Sequence, residues 1–107
     1  MDNDAIQDLF SGLGPVTIKR MFGGGKGIYF EGTIIALEVS DEILLKADKV
    51  SAPEFEAANC RQWTYEREGR RPVGMPYWSV PAEAFDDPDI MTEWARRAYE
   101  ASLRVAK

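Results

Sequence analysis

The stretch Lys19-Arg20-Met21-Phe22-Gly23-Gly24-Gly25-Lys26-Gly27-Ile28-Tyr29-Phe30 places four glycines within five residues, between two β-prone apolar runs. Glycine accepts positive φ and lets another backbone come close, so the run reads as a hairpin turn or a bulged strand, with a ligand cradle as the alternative. Known nucleotide motifs do not fit. A P-loop with Lys26 as its lysine needs Gly at position 20 and Ser or Thr at 27, where the chain has Arg20 and Gly27. A dinucleotide fingerprint starting at Gly23 needs a glycine where Ile28 stands, and no strand-then-long-helix pattern follows. The turn reading puts the chain in the α+β class.

Working outward, short β-prone runs cover Thr17 to Phe22, Gly27 to Glu31, Thr33 to Val39 and Glu42 to Lys46, broken at Glu31-Gly32 and Ser40-Asp41. Breaks this short join antiparallel strands, which predicts a meander. Ahead of it, Ile6, Leu9, Phe10 and Leu13 form one helical stripe over Asp4 to Leu13, ended by Gly12, Gly14 and Pro15. Behind it, Ser51-Ala52-Pro53-Glu54 matches a capping box ahead of a short helix over Pro53 to Ala58. A second hairpin follows, Arg61 to Arg67 and Arg71 to Trp78 about Glu68-Gly69-Arg70. Pro72 and Pro76 lack amide donors, which predicts a sheet-edge or irregular strand there.

Asp87-Pro88 opens the last helix, with Asp87 as its cap and Pro88 at the first helical position. Its stripe reads Ile90, Trp94, Ala98, Ala101 and Val105. Glu93 with Arg97 and Glu100 with Arg104 are spaced to pair on the outer side.

The 107 residues are read as one domain, 1–107, able to bury a core without disulfides or metal. The acidic start Met1-Asp2-Asn3-Asp4 is unlike a signal peptide, and the single Cys60 suits a reducing compartment, so a cytoplasmic location without membrane attachment is expected. A net charge of -5 disfavours direct nucleic-acid binding. Lys19, Arg20 and Lys26 in the first hairpin and Arg61, Arg67, Arg70 and Arg71 in the second would make a basic patch if they met on one sheet.

The chain has no histidine, which removes the commonest general base and the commonest metal ligand. Cys60 then has no imidazole to activate it and reads as a small residue at a helix end. Asp86, Asp87 and Asp89 lack calcium-loop spacing and read as capping residues. No catalytic residue, metal or cofactor is expected, and the protein is read as non-enzymatic. The remaining distinctive segment is Met75-Pro76-Tyr77-Trp78-Ser79-Val80-Pro81, a Tyr-Trp pair bracketed by prolines. It either seals the core or presents rings to a partner.

Arg20-Met21-Phe22-Gly23-Gly24, the Gly27 to Phe30 strand, Leu44-Leu45-Lys46-Ala47-Asp48 and Met75-Pro76-Tyr77-Trp78 with Val80-Pro81 together resemble the N-terminal domain of the TfoX/Sxy competence-regulator family. The resemblance runs from about Leu9 to the last helix. It implies a two-layer α+β domain of the secretion-chaperone-like type, ordered helix, three or four strands, helix, two strands, helix. Full-length members are positive regulators of bacterial DNA-uptake genes and carry a second, helix-hairpin-helix-like domain that this sequence does not include.

The expected function is therefore regulation by protein contact, with the transcription machinery as a candidate partner, and the chaperone analogy favours a homodimer. The alternative is a small anionic ligand held at the glycine-rich hairpin. Arg20, Phe22, Gly23, Gly24, Lys26, Tyr77 and Trp78 are the candidate ligand or partner residues.

Overall fold

A computed structural model describes residues 1–21, 24–65 and 69–105. Its elements, in chain order, are α1 (Asn3–Leu9), β1 (Thr17–Arg20), β2 (Lys26–Phe30), β3 (Thr33–Val39), β4 (Glu42–Lys46), α2 (Ala52–Ala57), β5 (Gln62–Tyr65), β6 (Val73–Ser79), a 3-10 turn (Ala82–Phe85) and α3 (Pro88–Val105). All six strands join one antiparallel sheet in the order β1-β2-β3-β4-β6-β5. This is the α+β order expected from the sequence.

The turns explain the meander. Glu31 and Gly32 have φ of 50° and 79°, and Ser40 and Asp41 have 51° and 65°. Positive φ at both central residues is the two-residue turn whose twist matches antiparallel strands. Between β2 and β3 the register slips: Ile28 faces Ala36 while Tyr29 faces Ile34, so Ile35 is an extra residue. The bulge turns Ile35 and Ala36 to the same side, leaving Ile34 and Leu37 on the other.

Three helices cover one side only. Ile6 and Phe10, Phe55 of α2, and Met91, Trp94, Ala95 and Ala98 of α3 pack with Ile28, Ile35, Ala36, Ile43, Leu45 and Trp78 in one buried core. Phe55 is its aromatic centre, with ring centroids 4.8 Å from Trp94 and 6.2 Å from Trp78. The opposite side of the sheet holds a second cluster drawn entirely from strands, Leu37, Leu44 and Tyr77, flanked by Ile34, Val39, Trp63 and Met75.

Of the two forms expected for the proline-bearing strand, edge or irregular, it takes the second: β6 lies between β4 and β5, with β1 and β5 at the edges, and its pairing with β5 shifts register. Pro76 is tolerated because the β5–β6 register shifts there, from Gln62↔Trp78 to Thr64↔Gly74, and the β4 ladder ends at Lys46↔Tyr77. Other expectations need correction. The capping box forms one turn earlier than expected. The Ser51 hydroxyl accepts from the Asp48 amide at 3.0 Å, and Asp48 Oδ1 accepts from the Ser51 amide at 3.0 Å.

The outer-face pairs of the last helix are replaced by longer reaches: Arg97 pairs with Glu54 at 3.5 Å and Arg104 with Asp48. The buried stripe of α3 is rotated by about one residue, to Met91, Trp94, Ala95, Ala98, Ala101 and Ser102, and Val105 is exposed. Asp87 caps α3 as expected, accepting from the Asp89 amide at 2.9 Å. The two basic hairpins sit at opposite ends of the sheet, so their cations do not merge. Arg67, with Glu66 and Glu68, is outside the described residues.

Candidate functional site

Among the described glycines of the run, Gly24 and Gly25 form a turn. Gly24 has φ of 93° with open space around it, and the Met21 amide donates to the Gly25 carbonyl at 2.8 Å to close the loop. Gly27 serves a different purpose. A Cβ there would lie 3.0 Å from the Tyr29 ring and 3.5 Å from Met21 Sδ, so its absence lets Tyr29 lie down along the sheet.

That ring belongs to the side of the sheet that no helix among the described residues covers. Cross-strand register puts Tyr29 opposite Thr17 and Ile34, Gly27 opposite Lys19 and Leu37, Leu44 opposite Leu37 and Ser79, and Tyr77 opposite Lys46. The resulting face is a band of Tyr29, Ile34, Leu37, Leu44, Met75 and Tyr77. The Lys19 ammonium stands 5.0 Å from the Tyr29 ring centroid and that of Lys46 5.1 Å from the Tyr77 ring. Such cation–ring contacts cover aromatic faces while keeping the charge in water. Burial pushes the Tyr77 phenol above its ordinary range, and nearby Tyr29 adds to the rise. At the β5 end the band runs into a cavity of about 210 Å³ lined by Glu42, Leu44, Arg61, Trp63 and Ser79.

The charges on this face run against the chain as a whole. Lys19, Lys46 and Arg61 border it with Glu42 as the acid among them, on a protein of net charge -5. Leu37, Leu44 and Tyr77 are buried within the band, while Tyr29, Ile34 and Met75 stay partly exposed, so the face offers apolar contact at those three side chains and cations at its rim.

The sequence-derived candidates divide among separate places. Arg20 and Lys26 are cross-strand partners at the β1 end, on the helix side, and line a cleft with Asp2, Asn3 and Ile18. Gly24 lies in the exposed turn, and Phe22 and Gly23 are outside the described residues. Tyr77 is on the open face, whereas Trp78 is core, stacked on Phe55. Both rings of the proline-bracketed pair are buried, one on each side of the sheet.

Sequence reasoning missed Lys19, Ile34, Lys46 and Trp63 as members of one surface. The available signal was that Ile34-Ile35-Ala36-Leu37 is apolar at consecutive positions, which in a strand means both faces are apolar.

The fold and this surface define a two-layer α+β domain with one helix-covered and one open sheet face. Residues 8–102 match the profile described as the TfoX N-terminal domain, and the chain belongs to that family. Among curated proteins no relative matches it. No helix among the described residues is long and apolar enough to cross a membrane.

Proposed function

We propose that this protein is a non-catalytic regulatory domain of the competence-regulator type, which acts by holding an acidic, apolar-faced segment of a protein partner on its open sheet face. The observation that carries the reading is the band of Tyr29, Ile34, Leu37, Leu44, Met75 and Tyr77 bordered by cations on an otherwise acidic chain. Apolar area supplies the attraction, and rim charge selects the partner and speeds encounter. A component of the transcription machinery with an acidic amphipathic helix has the required chemistry.

Family membership supports the regulatory role, since the resemblance is to regulators of DNA-uptake genes. The net charge of -5 speaks against the duplex itself as the partner. One cysteine, with its thiol buried, suits a cytoplasmic setting.

Site-specific photocrosslinking in native cells tests the proposal. A crosslinker at Tyr29 should trap a protein that one at exposed Arg96 on α3 does not. A peptide from the trapped segment should then bind less tightly to Lys46→Glu, with the difference shrinking at high salt. Equal adducts from both positions, or tighter binding to Lys46→Glu, would overturn it.

A further inference from the structure

On the other side of the sheet, at its β1 edge, a cleft of about 300 Å³ is lined by Asp2, Asn3, Ile18, Arg20 and Lys26. Arg20 and Lys26 are directly opposed in the β1–β2 ladder. Like charges opposite one another in an antiparallel pair repel, so a cation pair at this spacing works against the hairpin unless something negative lies between the two.

The neighbouring acids form no ion pair with either cation among the described residues. Asp2 lines the cleft, and its Oδ1 accepts from the Ala5 amide at 2.8 Å, as the cap of α1. Asp41, whose carboxylate feels the Lys26 charge, pairs with the Met1 amine. Glu38, the cross-strand neighbour of Lys26 in β3, accepts from the Asp41 amide at 3.1 Å and lies 3.9 Å from the Met1 amine. Lys26 Nζ donates to two neutral oxygens, the Met1 carbonyl and Asn3 Oδ1, each at 2.9 Å. Those bonds fix the ammonium in place without cancelling its charge, and an ammonium has a third proton to give. Among the described residues, Arg20 has neither an ion pair nor a hydrogen-bonded partner.

We infer that the Arg20–Lys26 cleft is a binding site for the phosphoryl group of a compact phosphorylated metabolite. The guanidinium offers a planar fork that matches two phosphate oxygens, and the anchored ammonium supplies a point charge to a third. The volume lies at the small end of the range for ligand pockets, about 300 to 1,000 Å³, which suits a phosphate with a short organic tail. Ile18, partly buried at the wall, gives that tail an apolar contact. Gly24 takes no part, because it faces open space.

The test is a titration of the 15N-labelled protein with inorganic phosphate, and separately pyrophosphate, at constant ionic strength. Amide shifts of Asn3, Ile18, Arg20 and Lys26 should move together and saturate, with pyrophosphate the tighter of the two. Arg20→Gln should weaken binding by about tenfold or more, the loss of one charge-assisted contact. It should do so without lowering the melting temperature, since the side chain bonds to nothing among the described residues. Lys46→Gln, on the open face, should bind as the parent does, which separates this site from the partner surface. Shifts that fail to saturate by about 20 mM, a range covering even weak anion sites, would overturn the inference. So would equal affinity in Arg20→Gln.

Discussion

Asp48 and Arg104 lie fifty-six residues apart in the chain and meet as a two-point pair, Nε to Oδ2 at 2.5 Å and Nη2 to Oδ1 at 2.9 Å. The same Oδ1 accepts from the Ser51 amide and hydroxyl at 3.0 and 3.1 Å. One carboxylate therefore caps the turn into α2 and ties it to the last turn of α3. The Asp48 side chain is 11% exposed and that of Arg104 41%, so the acid carries the larger share of the burial. Asp48→Ala loses the cap and the pair together and should cost about 2 kcal/mol in urea unfolding. Arg104→Met leaves the cap intact and should cost clearly less. Equal losses would show that the cap contributes nothing.

The pair also makes stability depend on pH. The Arg104 guanidinium, with the Ser51 amide and hydroxyl, holds the Asp48 carboxyl well below the usual carboxylate range, against the opposing effect of burial. A depressed folded pKa gives stability that is fully present above the unfolded value of about 3.9 and is lost as pH falls through it toward the folded one. The melting temperature should drop below about pH 4.5, and the gap between the parent and Asp48→Asn should close over the same range. A gap independent of pH would mean that the charge of Asp48 is not what stabilises the turn.

Leu44 is 3% exposed although it faces the side of the sheet without helices. Its cover comes from Leu37 and Tyr77, with Ile34, Val39, Trp63 and Met75 packed around them. Leu44→Ala should destabilise the monomer by about 2 kcal/mol, at the low end for a buried leucine because the rim of this cluster can relax. Ile34→Ala, partly exposed at the same face, should cost less than half of that. If the proposed partner packs on this band, Ile34→Ala should lose more in binding than in folding, and the two measurements separate the roles.

Local rules made the helix–strand order legible. The Thr33 to Val39 and Glu42 to Lys46 strands fall where the alternation and the Ser40-Asp41 break put them. Asp87-Pro88 starts α3 by cap chemistry that depends only on neighbouring residues. Tertiary choices were not legible. Ser51 and Glu54 satisfy a capping-box pattern, but Asp48, three residues earlier, offers a charged acceptor, and Glu54 is drawn to Arg97 across the helix pair. Pro76 reads as an edge or irregular-strand residue by its missing donor, and a register shift lets it sit inside the sheet; such shifts leave no mark in one sequence. The candidate site was half visible. Tyr77 was named, while Lys46 and Tyr29 join it only through cross-strand register.

Cys60 sits just past α2, where Asn59 takes a φ of 63° and the Cys60 amide donates back to the Phe55 carbonyl at 3.0 Å. That bond closes the helix end and turns the thiol inward. Burial pushes the thiol up, the Ser79 hydroxyl pulls it partly back, and the Glu83 charge adds to the rise. Less thiolate and less access both slow attack on a disulfide reagent. At pH 8 the folded protein should react at least about tenfold more slowly than the urea-unfolded chain. A folded rate equal to the unfolded one would mean that this end of α2 opens freely.

Ser40 and Asp41 form the β3–β4 turn with φ of 51° and 65°, and neither is glycine. A left-handed conformation costs an ordinary L-residue about 1 kcal/mol or more, and Asn bears it best after Gly because its side chain bonds locally. The equivalent β2–β3 turn already has Gly32 at its second position. At the β3–β4 turn the second position has other work: the Asp41 amide donates to Glu38, and its carboxylate pairs with the Met1 amine. Exposed Ser40 has no such tie among the described residues, so it is the position to change. Ser40→Asn should raise stability by about 0.5 kcal/mol, and Ser40→Val should lower it by about 1, because a β-branched side chain fits this region worst. Thermal unfolding of the two variants against the parent decides it. If both melt where the parent does, the turn relaxes to another type when its first residue is changed, and register rather than turn chemistry holds β3 to β4.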